Sequence, residues 1–172
     1  MKGKFAAALL LLAGAVAAAA VAVALRDPAG QRAAGPVVAP SERGTTGELV
    51  VYRSPSCGCC GEWLAYVQRH GFQVRDVVVD DLAAVKRELG VPEAVWSCHT
   101  AVLGGAVIEG HVPVEAIRAF ATAPLPGAAG IAVPGMPAGS PGMTGGLAGP
   151  LQVVAFGAAG VEPFMTLERF AP

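Results

Sequence analysis

Charge is scarce in these 172 residues: Asp, Glu, Lys and Arg make up 15% of the chain, with 13 acidic residues against 12 basic ones. The Lys and Arg residues are scattered rather than grouped, which excludes nucleic acid as a partner, because phosphate binding needs clustered basic side chains. There is no internal repeat, and only one long apolar run, so repeat arrays and multi-pass membrane proteins are excluded as well. Nor is there a separate pair of acid and base residues of the kind a hydrolase would carry. Histidine (three residues) and cysteine (four) are rare enough for their placement to be informative.

Small apolar residues, by contrast, are abundant. The apolar share is 53% and the mean hydropathy +0.54, high for a soluble protein. Most of the excess lies in Phe5 to Leu25, a run of Ala, Leu and Val broken only by Gly14 and preceded by Lys2 and Lys4. A basic start, an apolar stretch and small residues at Ala18, Ala20 and Ala22 describe a secretory signal. The run is also long enough to cross a bilayer, for which a helix needs about 20 apolar residues, with the lysines holding its N-terminal end in the cytoplasm. Residues 1–25 are thus read as a signal peptide or a membrane anchor, and both readings export the rest of the chain. Without them the chain is mildly acidic and about half apolar, the ordinary globular range.

Residues 26–47, rich in Pro, Gly, Ala and Thr, read as a flexible linker. Residues 48–122 read as an α/β core. Leu49 to Tyr52 predicts a buried strand, closed by the Ser54-Pro55-Ser56 turn. A helix is expected from about Cys59 to His70, with Cys60, Trp63, Leu64 and Val67 at spacings that share a face and Gly71 as its stop. A second strand is expected over Phe72 to Val79, then a helix capped by Asp80 or Asp81 with Leu82, Val85 and Leu89 on one stripe. Thr100 to Leu103 and Ala106 to Glu109 flank Gly104-Gly105, a hairpin signal, and Pro113 opens a last helix to Thr122. This order is a thioredoxin-like βαβαββα arrangement on a mixed sheet, preceded by the N-terminal hydrophobic helix. Residues 123–172 read as a C-terminal extension of the same domain, a Gly/Pro/Ala loop over 123–150 followed by an added hairpin from Leu151 to Phe156 and Glu162 to Leu167.

All four cysteines fall in Cys57-Gly58-Cys59-Cys60 and at Cys98. In this fold the first group sits at the start of a helix, where unpaired N–H groups and the helix dipole favour thiolates, and Cys98 enters the third strand opposite it. Three readings compete. An exported chain with an even cysteine count usually forms disulfides, but three thiols crowd one turn and only Cys98 is distant, so one long-range bridge would leave the remaining bond a strained local one. Cys57 and Cys60 also have the C-x-x-C spacing of a thiol–disulfide oxidoreductase, although the proline expected before the third strand is replaced by Ser97-Cys98-His99. The third reading is metal. Clustered thiolates suit Cu(I), zinc or iron–sulfur centres. Three sulfurs in four residues bind one tetrahedral zinc awkwardly, whereas Cu(I) is content with two or three bridging sulfurs. His99 and His111 are candidate outer ligands or orienting groups, and Met136 and Met143, in Pro/Gly loops, are further candidates for copper contact. His70, at a helix end, complements the dipole.

The segments Val51-Tyr52-Arg53-Ser54-Pro55-Ser56-Cys57-Gly58-Cys59-Cys60-Gly61, Ser97-Cys98-His99-Thr100-Ala101-Val102, Val107-Ile108-Glu109-Gly110-His111-Val112-Pro113 and Ala132-Val133-Pro134-Gly135-Met136-Pro137 together resemble the CopG-like family of bacterial copper-resistance systems. At Gly142-Met143 the sequence departs from the pattern, continuing Thr144-Gly145-Gly146 where similar proteins carry an acidic residue. The resemblance implies a periplasmic, thioredoxin-like protein in which Cys57, Cys59, Cys60 and Cys98 hold a small sulfur-bridged cluster of copper ions. It also implies a role in copper tolerance, by interconverting Cu(I) and Cu(II) or passing copper on. The expected partners are copper ions and periplasmic copper-handling proteins or an electron donor, with membrane contact only through residues 5–25.

Overall fold

The computed structural model describes residues 47–172. The segments read as signal or anchor and as linker lie outside them, apart from the linker's last residue. Seven strands form one sheet: β1 (Leu49–Arg53), β2 (Val74–Val78), β3 (His99–Leu103), β4 (Ala106–Glu109), β5 (Ala128–Ala132), β6 (Leu151–Gly157) and β7 (Gly160–Leu167). The helices are α1 (Gly58–Arg69), α2 (Leu82–Glu88) and α3 (Val114–Thr122), with a 3-10 turn at Glu93–Val95. The strand order is β2-β1-β3-β4-β5-β6-β7. β1 pairs parallel with β2 across the α1 crossover, and β4 pairs parallel with β5 across α3; the other neighbours are antiparallel.

Alternation along the strands divides the core between the two faces of the sheet. Leu49, Val51, Ala101, Leu103 and Ile108 pack with Trp63, Leu64 and Val67 of α1 and Ile117 and Phe120 of α3. On the opposite face Val50, Tyr52 and Val102 meet Val85 of α2. A strand covered on both sides reads as a near-continuous apolar run, as Leu49 to Tyr52 of β1 does. The Asp81 carboxylate accepts from the Ala84 N–H at 2.9 Å and starts α2. Gly104 and Gly105, at φ 52° and 80°, make the β3–β4 turn, which needs positive φ at both positions.

One correction concerns the stretch 123–150. It is not wholly loop: Ala128–Ala132 is β5, with its centre buried. Ala and Gly are poor strand formers, which hides the segment in the sequence. Gly130 is required all the same, because a Cβ there would lie 2.7 Å from the Phe156 ring and collide with the Val107 carbonyl. The added hairpin is present as β6 and β7. Among the described residues no helix is long and apolar enough to cross a membrane.

Candidate metal centre

Sheet topology delivers the chemistry to one end of the molecule. β1 ends at Arg53, opposite His99, where antiparallel β3 begins; the loop into α1 leaves from the first and Cys98 leads into the second. β4 ends at Glu109 on its way to His111. β5, parallel to β4, ends at Ala132 on its way to the Pro134-Gly135-Met136 loop.

The four sulfurs lie within 4.8 Å of one another. Cys57, at the N-cap of α1, makes no side-chain capping bond and is joined to Cys60 by a disulfide. Cys59 and Cys98 are free thiols. Cys59 Sγ stands 3.7 Å from Cys57 Sγ and 3.8 Å from Cys98 Sγ. The only bridge among these cysteines is therefore local. Burial, reinforced by the neighbouring Cys59, pushes the Cys98 thiol up to about 12.

Two buried imidazoles complete the group. Cys98 Sγ is 3.0 Å from His111 Nε2 and 3.3 Å from His99 Nδ1, and one donor atom from each of these three residues falls within 4.8 Å of the others. His111 Nδ1 is 2.6 Å from the Pro141 carbonyl. A carbonyl only accepts, so Nδ1 carries the hydrogen and Nε2 presents a lone pair to Cys98. His99 packs between the Trp63 ring at 4.4 Å and the His111 ring at 5.0 Å, and its buried Nε2 has no hydrogen-bond partner among the described residues. Burial, with His111 and Lys86 nearby, holds His99 well below the usual imidazole range. Burial also lowers His111, so both rings are neutral at physiological pH.

Behind the cysteines is a buried ion pair. Lys86 Nζ of α2 donates to Glu109 Oε1 and, at 2.9 Å, to Thr100 Oγ1. Glu109 also accepts from the Ser97 N–H and the Thr100 hydroxyl, each at 2.6 Å. The C-terminal extension is fastened to the same end. Gly135 N–H donates to the Trp96 carbonyl at 3.2 Å, the Ser97 hydroxyl donates to the Gly135 carbonyl, and Gly142 lies directly on the backbone of Trp63.

Residues 95–143 match a family model described as a protein of unknown function, DUF411. No curated protein matches the chain. Two solved structures, forms 2 and 1 of copper resistance protein CopG, are each 40% identical to it; they cover 70% and 71% of this chain and 97% and 98% of their own, with TM-scores of 0.65 and 0.64. The chain belongs to the CopG family.

The donor set of this CopG-family chain fits a copper-related role. Four sulfurs and two neutral imidazoles are soft to borderline ligands, and the nearby Glu109 carboxylate is occupied by protein donors. All six residues expected as ligands, Cys57, Cys59, Cys60, Cys98, His99 and His111, are brought together. Met136 is instead exposed, at 56%, and His70, at the end of α1, reaches the Pro172 carbonyl with its ring at 3.0 Å. Sequence reasoning missed the Pro141 carbonyl that orients His111, and it missed Lys86. A signal for Lys86 existed: it falls four residues after Leu82 and three before Leu89, on the apolar stripe of α2, where an unpaired ammonium would not remain.

A pH dependence arises from the state of Cys98. Its thiol keeps its proton at neutral pH, and a metal binding through that sulfur must release it. Apparent copper affinity is expected to rise roughly tenfold per pH unit for each proton released, between about pH 6 and about pH 9. A chelator-competition series measures the slope, and a flat profile would show that no thiol proton is displaced.

Proposed function

We propose that this chain is an exported copper-binding protein of copper tolerance, in which Cys57, Cys59, Cys60 and Cys98, once reduced, hold a thiolate-bridged set of copper ions with His99 and His111 as outer ligands. One observation carries the reading: four sulfurs from two distant stretches converge within 4.8 Å of one another in a relative of copper-resistance proteins. Copper is the cargo. Interconverting Cu(I) and Cu(II), or handing copper on, is the activity such a site would serve. The β2-β1-β3-β4 order, with one parallel crossover and one hairpin, supports the thioredoxin-like reading of the core. Residues 1–25, as signal or anchor, would place the domain in the periplasm.

The disulfide sets a condition on this function. All four sulfurs are free only after an external two-electron reductant such as a dithiol breaks the Cys57–Cys60 S–S bond, the pair taking up two electrons and two protons as two thiols whose protons copper would then displace. That bond, at the start of α1, also favours a second reading as a thiol–disulfide oxidoreductase. Anaerobic Cu(I) titration of the reduced chain, followed by metal analysis, tests the first reading. Several copper ions per reduced chain are expected, and fewer when the disulfide is intact; one tightly held zinc would overturn it. Brisk disulfide reduction without metal, abolished by Cys57→Ser or Cys60→Ser, would favour the second.

A further inference from the structure

The buried pair Lys86–Glu109 has no place in either reading. Its side chains are 4% and 0% exposed, and taking two charges out of water costs more than their attraction returns unless further hydrogen bonds satisfy them. A pair of apolar side chains would hold α2 against the sheet at least as well. What the pair does provide is local and directional.

We propose that Glu109, held in place by Lys86, is a positioning residue of the copper site, clamping the chain on both sides of Cys98 and His99. Ser97 precedes them and Thr100 comes after them, and both donate to the same carboxylate at 2.6 Å. Pairing of β3 with β4 begins at Thr100 opposite Glu109, and the Gly110 N–H donates to the His99 carbonyl at 3.0 Å. Ser97 lies outside the strand, so a side chain supplies the restraint that the strand ladder no longer gives. Alternation of the pleat sends the Thr100 and Glu109 side chains to the α2 face and His99 to the α1 face. The ion pair thus supports the site from across the sheet, and Lys86 and Glu109 act on copper only through Cys98 and His99. Groups that orient metal ligands in this way commonly cost about 10- to 100-fold in affinity when removed.

The inference rests on copper being held through Cys98. Its test is Cu(I) titration of the full, reduced chain against a competing chelator, with copper X-ray absorption to count sulfurs per ion. Glu109→Gln, Lys86→Met and Thr100→Val are compared with Val85→Ala, which loosens the neighbouring position of α2 without touching the clamp. Thr100→Val removes a single hydroxyl and decides the matter if the charge variants do not fold. In the clamp variants affinity is expected to fall about tenfold or more, with fewer sulfurs per copper in chains that still melt cooperatively. Val85→Ala should keep both affinity and sulfur count. Wild-type affinity and sulfur count in Thr100→Val and in any folded charge variant would overturn the clamp while leaving the copper reading intact. An equal loss in Val85→Ala would do the same, by assigning the effect to general stability. A wild-type chain that binds no copper would overturn the copper reading itself, and the clamp with it.

Discussion

A Cys98→Ser chain is expected to lose all of its copper together. Cys98 is the one cysteine sulfur supplied from outside the α1 turn, and it is shared by both groups that could hold a metal, Cys57, Cys59 and Cys60 on one side and His99 with His111 on the other. Its Sγ lies 3.8 Å from Cys59 Sγ and 3.0 Å from His111 Nε2. Serine keeps the shape of the side chain but substitutes a hard, protonated oxygen for the soft donor that Cu(I) prefers. The three remaining sulfurs fall within four residues and would have no distant partner against which to bridge several ions. Apparent Cu(I) affinity is expected to drop by more than about a hundredfold, beyond the cost of altering supporting groups alone. Cys98 is only partly buried and in no disulfide, so the variant should fold. Metal analysis of the reduced protein is the measurement. Loss of a single ion, with the others retained at full affinity, would mean that the sulfurs bind independently.

Much of the architecture was legible because short signals determine it. Gly104-Gly105 marks its turn, Asp81 caps α2, and the Cys60, Trp63, Leu64 and Val67 spacing defines the buried face of α1. The convergence of the cysteines came from element order, since a βαβ unit and a hairpin on one sheet bring the start of α1 and the start of β3 to the same end. What could not be read depends on distant partners. β5 is a strand because β4 and β6 pair with it on either side, not because Ala-Ala-Gly-Ile-Ala favours extension. The spacing of Cys57, Cys59 and Cys60 allows more than one local pairing, and only the folded loop shows Cys57 joined to Cys60. The Glu109 carboxylate lies inside a motif that sequence reasoning had marked for His111. Its hydrogen bonds come from α2, the loop before β3, and β3 itself, which no local pattern reveals.

Gly110 offers the second large effect, because it sits between Glu109 and His111, the residues that hold the Cys98 segment from either side. Its φ is +74°, a conformation that costs an L-residue about 1–2 kcal/mol. A Cβ there would lie 2.5 Å from Ser97 Cβ and 2.8 Å from the Val133 carbonyl oxygen, so Gly110→Ala adds overpacking of about 1–3 kcal/mol. Against a total stability of about 5–15 kcal/mol the combined loss is severe, and the melting temperature should fall by on the order of 10 °C. Gly90→Ala separates the two causes. Gly90 has nearly the same φ, +70°, but nothing within 4 Å of the added carbon, so it carries the backbone strain alone, about 1–2 kcal/mol. Thermal melts of the two variants make the comparison, and equal losses would refute the crowding argument. Where Gly110→Ala still folds, the only relief is to push Ser97 or Val133 outward. Since Ser97 directly precedes Cys98, weaker copper binding is expected in Gly110→Ala and unchanged binding in Gly90→Ala, which ties the close approach at this glycine to the geometry of the metal centre.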